Sequence, residues 1–289
     1  MQLKYRLLNV FALAGDPFSG NPLCVFEDGR GLDCATMQAL ARQFNLSETT
    51  FIMPSARADA FVRIFTPEYE MPFAGHPTLG TAAVVHLLAS GAGKPGAAVE
   101  LDMQAGLIPV SLQRELWTLR AKAPATREND RDLSELASAL GLHVGDIRCE
   151  PGGPRPLWVN TGVEQLLVPL ASADAVRRVQ PQAEHLRHFV SSMGKRQFLV
   201  FAPTGAQELL ARFFFENGAV VLEDPATGSA CANLGGWYLS TGAAGPRRMV
   251  VSQGEQLSRP SRLQLELDAE GRIYVAGRVV ELGAGSIKL

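Results

Sequence analysis

The segment HPTLGTAAVVHLL (residues 76–88) decides the fold when it is compared with DPATGSACANLGGWYL (residues 224–239). Each segment starts with a charged or titratable residue and a proline, continues through small residues, and runs into a largely apolar stretch. This pattern predicts a buried helix that begins directly after a small-residue loop. Because the pattern occurs once in each half of the chain, we expect two similar lobes.

Segments of strand-like composition surround both predicted helices. A first strand is predicted from the alternation between residues 3 and 11, and further strands at PLCVF, FVRIFT, VELDM, LIPVSL, LWTLRA, PLWVNTG, QLLVPL and QFLVFA. One shorter helix is expected from Asp33 as N-cap, and another after the polar stretch PATRENDRD (residues 124–132). Strong β patterning with one long buried helix per half predicts the α+β class, each lobe a curved, mostly antiparallel sheet wrapped around a central helix.

The predicted lobe boundary lies near residue 118. We assign residues 1–118 to the N-terminal lobe and residues 119–276 to the C-terminal lobe, with the strand-like residues 277–289 expected to complete the first lobe. Two lobes of this size suit a chain of 289 residues and create a cleft between them.

Composition argues against several classes of partner. Lys and Arg total 27 against 29 for Asp and Glu, so no net positive charge favours nucleic acid or an anionic membrane. No apolar stretch approaches the ~20 residues that span a bilayer. The four cysteines are scattered without a Cys-x-x-Cys pair and are expected to be reduced, mostly buried thiols of a cytoplasmic protein.

No metal or nucleotide cofactor is predicted from the sequence. Four histidines have no carboxylate or cysteine partners at metal-ligand spacing and are expected to be structural or surface residues: His86, His143, His185 and His188. Residues 91–96, GAGKPG, match a glycine pattern of dinucleotide sites, but they follow a predicted helix and precede a strand, which is the reverse order. We therefore interpret them as a loop.

The two predicted helix starts suggest an anion site. A helix N-terminus offers unpaired backbone N–H groups and a partial positive charge, which together hold a small carboxylate. Proline and small residues also begin ordinary helices, with Thr or Ser as caps. The recurrence of the motif, with His76 and Asp224 at its start, favours the anion site.

Glu48 is the candidate general base. It lies in NLSETTFI, between a predicted helix end and an apolar strand, among small hydroxyl residues. Partial burial would make its carboxylate a useful base near neutral pH. The residue is equally consistent with a solvated glutamate in a turn, and its spacing in the sequence does not distinguish this interpretation from a general base.

Five motifs, in this order, resemble the PhzF-like isomerases of phenazine biosynthesis: FSGNPLCVF, LSETTFI, MPFAGHPTLGTA, NTGVEQLLVPL and LEDPATGSA. The resemblance covers nearly the whole chain and implies the diaminopimelate epimerase-like fold, a homodimer and no cofactor. It implies that the glutamate of the SETTF motif, here Glu48, moves a proton on carbon. It further implies that the substrate site is lined by Gly75, His76, Asp224, Gly228 and Ser229.

The function expected on these grounds is cofactor-independent proton transfer on a small carboxylic acid, in the cleft between the lobes. Glu48, His76 and Asp224 are the expected catalytic residues, and Gly75, Gly228 and Ser229 the expected substrate-binding ones. A two-cysteine racemase is disfavoured because Ala74 precedes Gly75 and Cys231 falls inside the predicted helix. A non-catalytic carboxylate-binding protein of the same fold stays open.

Two departures from the family pattern bear on the substrate. Glu216, in FFFENG, occupies a position where the resemblance leads us to expect proline. Ser258 occupies the position of the glycine in the usual Gly-Arg-Pro-Ser motif. FFFENG lies just upstream of Asp224, so it is expected to shape the substrate pocket.

Overall fold

The computed structural model describes residues 1–91, 96–242 and 245–289. Its helices are α1 Cys34–Phe44, α2 Gly75–Gly91, α3 Leu133–Leu140, α4 Ala173–Arg178, α5 Ala183–Leu186 and α6 Gly228–Ser240. Its strands are β1 Gln2–Val10, β2 Asn21–Phe26, β3 Glu48–Met53, β4 Ala60–Phe65, β5 Glu70–Met71, β6 Ala98–Met103, β7 Gly106–Gln113, β8 Leu116–Arg120, β9 Ala125–Glu128, β10 Leu157–Asn160, β11 Glu164–Pro169, β12 Gln197–Gly205, β13 Glu208–Asn217, β14 Val220–Asp224, β15 Arg247–Gln253, β16 Ser261–Leu267, β17 Ile273–Gly277 and β18 Val279–Lys288.

The chain forms two compact units. Unit 1 comprises Met1–Arg120 together with Ala276–Leu289, and unit 2 comprises Ala121–Val275. Unit 1 is therefore discontinuous in sequence, and its last strand is supplied by the C-terminal segment.

The sheet of unit 1 is mostly antiparallel. Strand β1 lies between β18 and β2 and pairs with both in antiparallel fashion, while β3 pairs with β4 and β7 pairs with β6 and β8 in the same way. The pairs β2–β3 and β4–β6 are parallel. The pairing of β18 with β1 brings the C-terminal segment beside the first strand of the chain.

Helix α2 is the centre of unit 1. It contacts strands from every part of the sheet, from β18, β1 and β2 to β6, β7 and β8. A Cβ atom at Gly80 would lie 2.5 Å from Leu23 Cδ2, so glycine permits the close approach of helix and strand there. The expected arrangement of a sheet wrapped around a buried helix is confirmed in this unit.

Helix α1 begins as the sequence predicted. The side chain of Asp33 accepts a hydrogen bond from the backbone N–H of Thr36 at 2.8 Å, which is the geometry of an N-cap. The helix ends at Asn45, whose φ of 53° lies in the left-handed region. The face that carries Met37 and Leu40 packs on the aromatic residues Phe26, Phe51 and Phe65.

Unit 2 repeats the design with a different sheet order. Strands β9, β10 and β11 pair antiparallel, as do β12 with β13, β13 with β14, and β15 with β16. The pairs β11–β12 and β13–β15 are parallel. Helix α6 packs on β9, β10, β11 and β16, so this unit also has one buried central helix.

Three sequence predictions are corrected by the structure. The polar stretch before α3 was expected only to open a helix, but residues 125–128 form β9, whose four side chains are all exposed. Because the strand has no apolar face to bury, it is held by its pairing with β10. Strands β15 and β16 were not predicted, and two of the four cysteines, Cys34 and Cys149, are exposed.

Two other points concern the whole chain. The predicted loop at residues 91–96 lies mostly outside the described residues. Among the described residues, none of the helices combines the length and the apolar character needed to cross a membrane.

Candidate active site

Glu48 and His76 meet in unit 1. Glu48 is the first residue of β3 and lies opposite Leu23 of β2, and His76 is the second residue of α2. Their side chains are 15% and 6% exposed, and Glu48 Oε2 lies 3.3 Å from His76 Nε2. The two atoms are at ion-pair distance but not in hydrogen-bond geometry. The structure therefore brings together two of the three expected catalytic residues in a nearly dry setting.

The ring of His76 is neutral at physiological pH. Burial lowers the pKa of His76 to about 3, an effect that its hydrogen bond with the backbone of Pro22 opposes only in part. Proline has no N–H, so the ring donates to the Pro22 carbonyl. Since Nε2 faces Glu48, the donor is Nδ1. The neutral ring thus presents the lone pair of Nε2 to the Glu48 carboxyl group.

Gly75 is the first residue of α2. The first-turn N–H groups of a helix have no acceptor within the helix, and Pro77 contributes none. The backbone N–H groups of Gly75 and His76 are therefore the polar groups that this helix start offers to a ligand. Thr78 closes the first turn, since its backbone N–H and its hydroxyl both donate to the Ala74 carbonyl, at 3.2 and 2.6 Å.

Asp224 ends β14 in unit 2, in a loop that buried Gln253 shapes. The hydroxyl of Thr227 donates to the Asp224 carboxylate. Nε2 of Gln253 donates to the Asp224 carbonyl at 2.8 Å and to Thr227 Oγ1 at 3.1 Å, while Gln253 Oε1 accepts from the Thr227 backbone N–H at 3.3 Å. Gln253 is 1% exposed. These bonds fix the loop that leads from Asp224 into α6.

The N-terminus of α6 lacks a side-chain cap. Thr227 occupies the N-cap position, but its hydroxyl bonds Asp224 and makes no cap hydrogen bond. The first-turn N–H groups of Gly228 and Ser229 are therefore not satisfied by a cap, and they carry the partial positive charge of the helix start. This arrangement favours the anion-site interpretation over the alternative of an ordinary Thr-capped helix.

Gly254 holds this loop through a close approach of backbones. Its φ is +81°, and a Cβ atom there would lie 2.3 Å from the Arg259 carbonyl oxygen and 2.6 Å from that of Pro225. We expect Gly254→Ala to lower the free energy of unfolding by at least about 2 kcal/mol, because left-handed strain alone costs about 1–2 kcal/mol. Urea denaturation measures this change.

A matched control is Gly152→Ala. Its φ is +71°, and no described atom lies within 4 Å of a Cβ built there, so only the backbone strain remains. Equal losses for the two variants would contradict the proposed collision with Pro225 and Arg259.

Ser229, the second residue of α6, has a buried amide partner. Nε2 of Gln165 donates to Ser229 Oγ at 3.0 Å, and Gln165 in turn contacts Asn233 on the next turn of the helix. Gln165 lies in the predicted strand QLLVPL and Asn233 in the predicted helix segment, and neither residue was expected to have a role in the site. An amide within the small and apolar run of α6 was the signal for a buried polar network.

The cysteine of α6 does not suit proton abstraction. Cys231 is 2% exposed, and burial raises the pKa of its thiol far above the usual range. In the other unit, Ala74 occupies the position before Gly75. In the part of the chain that the structure describes, no group of three His, Cys, Asp or Glu side chains is placed to hold a metal ion.

Comparison with known proteins gives a consistent family. The sequence matches the family described as phenazine biosynthesis-like protein, PhzC-PhzF, over residues 9–285. It is 38% identical to an uncharacterized isomerase of Pasteurella multocida, over 98% of this chain and 93% of that protein. It is 33% identical to trans-2,3-dihydro-3-hydroxyanthranilate isomerase of Pseudomonas fluorescens, over 99% of both chains. The structure of a PhzF-family protein of Bacillus anthracis matches with a TM-score of 0.85, at 24% identity and full coverage of both chains.

The fold and the relatives define an isomerase of the diaminopimelate epimerase-like fold. The chain belongs to the PhzF-like (PhzC-PhzF) family, as the sequence motifs indicated. Each predicted site residue has the local setting described above. The joint action of Glu48 and His76 with Asp224 stays a prediction.

Proposed function

We propose that the protein is a cofactor-independent isomerase that moves a proton between carbon positions or faces of a small carboxylic acid. The observation that carries this proposal is the contact between Glu48 Oε2 and His76 Nε2, which places a carboxylate beside a neutral, buried imidazole. Acid–base chemistry on carbon needs a base that keeps the abstracted proton beside the substrate long enough to return it. A pair with little solvent exposure meets this need.

Glu48 is the proposed base. It takes a proton from a substrate carbon and returns it at another position. Once Glu48 carries that proton, a small rotation of its carboxyl group lets the O–H donate to Nε2 of His76, which is an acceptor because Nδ1 is already the donor to Pro22. His76 therefore orients the carboxyl group of Glu48. Its low pKa keeps the ring from competing as a cation.

The helix start at Gly228 and Ser229 is the proposed carboxylate site. The uncapped first-turn N–H groups and the Ser229 hydroxyl supply donors to a substrate carboxylate and to the negative charge that develops when the proton leaves carbon. Gly75 adds backbone donors at the start of α2. We assign Asp224 to a polar group of the substrate, since its side chain is anchored by Thr227.

The substrate class is proposed from the names of the relatives. Relatives at 32–33% identity are named for trans-2,3-dihydro-3-hydroxyanthranilate, a cyclic amino carboxylic acid. We propose a small cyclic or amino carboxylate as the substrate of this chain.

We also propose that the protein acts in the cytoplasm. Its four cysteines are free, and thiols stay reduced in that compartment.

The test is hydrogen exchange in deuterated water, followed by NMR. Trans-2,3-dihydro-3-hydroxyanthranilate and a panel of small cyclic and amino carboxylic acids are incubated with the purified protein, before and after dialysis against a chelator. We expect deuterium to enter one carbon position of at least one compound, at a rate that the chelator does not change. Binding without any exchange would support the alternative of a non-catalytic binding protein. Loss of exchange after dialysis would contradict the proposal that the enzyme needs no metal cofactor.

A further inference from the structure

Ser229 receives a hydrogen bond from a buried amide relay whose polarity can be read from the structure. The relay runs from the Thr161 backbone through Asn233 and Gln165 to the Ser229 hydroxyl. Asn233 is 0% exposed and Gln165 1% exposed, so water does not take part in these bonds. Every link lies within unit 2.

The first link fixes the orientation of Asn233. The backbone N–H of Thr161 can only donate, and it lies 2.8 Å from the Asn233 side chain, so the atom there is Oδ1. The Thr161 hydroxyl donates to the same oxygen at 2.7 Å. The other end of the amide is therefore the nitrogen, and it donates to the Val163 carbonyl at 2.9 Å, an atom that can only accept.

The second link fixes the orientation of Gln165. The remaining hydrogen of Asn233 Nδ2 points to the Gln165 side chain at 2.8 Å, so the atom there must be the acceptor Oε1. The nitrogen Nε2 of Gln165 then faces Ser229 Oγ at 3.0 Å and donates to it. The backbone N–H of Thr161, at the start of the relay, thus sets which end of Gln165 meets the serine.

We infer that Gln165 is a positioning residue that makes Ser229 a hydrogen-bond donor to the substrate carboxylate. Because Ser229 Oγ accepts from Gln165 Nε2, a hydroxyl hydrogen directed back at that nitrogen would meet another hydrogen. The hydroxyl therefore keeps its own hydrogen for an acceptor beside the start of α6. A carboxylate is such an acceptor. The inference rests on the proposed function for the identity of the ligand, but not for the polarity of the relay.

The test reverses the polarity of the last link. In Gln165→Glu the introduced carboxylate still accepts from Asn233, but it also accepts from the Ser229 hydroxyl, which turns the serine lone pairs toward the ligand. Binding of anthranilate to the full-length protein is measured by isothermal titration calorimetry. We expect Gln165→Glu and Ser229→Ala each to weaken binding about tenfold, the loss of one hydrogen bond to a charged group.

A double-variant cycle separates the relay from simple charge repulsion. Gln165→Glu is expected to cost little further affinity in the Ser229→Ala background, because its effect acts through the hydroxyl. A full tenfold loss in that background would show that the new charge repels the ligand directly and would overturn the inference. On acidification from about pH 7 to about pH 5 the introduced carboxyl group gains a proton and donates again, so binding by Gln165→Glu should recover relative to wild type.

Two further measurements keep the inference testable. If Gln165→Glu does not fold, Gln165→Met keeps the length without charge, and it should weaken binding severalfold in the wild-type background and not beside Ser229→Ala. If anthranilate does not bind the wild-type protein, the carboxylate site of the proposed function fails for this ligand. Neutron diffraction in D2O then decides the relay alone. Deuterons on Gln165 Nε2 directed at Ser229 Oγ support the inference, and a Ser229 deuteron directed at Gln165 overturns it.

Discussion

Glu48→Gln is expected to lower turnover by at least ~10²-fold while substrate affinity stays near that of the wild type. Glutamine has the shape of glutamate but cannot accept a proton from carbon. The side chain is only 15% exposed and its Oε2 lies 3.3 Å from His76 Nε2, so solvent has little access to replace the base. The measurement is the rate of deuterium incorporation at substrate carbon by NMR, together with affinity by calorimetry, using whichever compound of the panel exchanges.

Glu184→Gln is the matched control, since it makes the same chemical change at an exposed position of α5. It should exchange at the wild-type rate. The mechanism is wrong if Glu48→Gln also exchanges at the wild-type rate, because Glu48 is then not the base. A loss of affinity without a loss of the maximal rate would instead assign Glu48 to binding.

The fold was largely predictable because its main signals are local. The two helix segments combine small-residue starts with apolar runs, and the structure shows α2 and α6 as the buried centres of their units. The N-cap at Asp33 also follows from local chemistry, since a short carboxylate satisfies the N–H of Thr36. Strand β9 was missed because its residues are all exposed and are ordered by pairing with β10, which local sequence does not encode.

The sequence predicted the main residues of the candidate site but not the contacts that support them. Motif resemblance pointed to Glu48 and His76, and the structure places them in contact. The donation from His76 to Pro22, which orients the ring, depends on how β2 and α2 pack and has no signature in the spacing. Gln253 likewise lies far from Asp224 in the sequence, although it shapes the Asp224 loop. Such supporting contacts form between segments far apart in the chain.

The departure at Ser258 also has a structural reading. The sequence has serine where the family resemblance leads us to expect glycine, and its φ of 54° lies in the left-handed region. Glycine adopts this conformation without strain, whereas serine carries a cost of about 1–2 kcal/mol. The backbone at this position therefore keeps a shape that suits glycine, although the residue has changed.

Asn233→Leu is expected to lower the free energy of unfolding by at least about 3 kcal/mol, although leucine is apolar and of similar length. Asn233 is fully buried and makes four hydrogen bonds, to the Thr161 N–H and hydroxyl, the Val163 carbonyl and the Gln165 side chain. Leucine would leave all four partner groups without this amide in the interior of unit 2. Each buried polar group left without a hydrogen-bond partner lowers the free energy of unfolding by about 1–3 kcal/mol, and these losses are not additive.

A graded series tests whether the loss comes from these partners. Thr161→Val removes only the hydroxyl bond and keeps the backbone N–H, so we expect a loss of about 1 kcal/mol. Asn233→Ala should resemble Asn233→Leu, because both strand the same four groups and differ mainly in the space they fill. Stability is measured by urea denaturation with tryptophan fluorescence, since Trp158 and Trp237 both lie in unit 2. If Asn233→Leu stays within about 1 kcal/mol of wild type, the network does not hold α6 in place, because a loss that small is what one hydrogen bond accounts for.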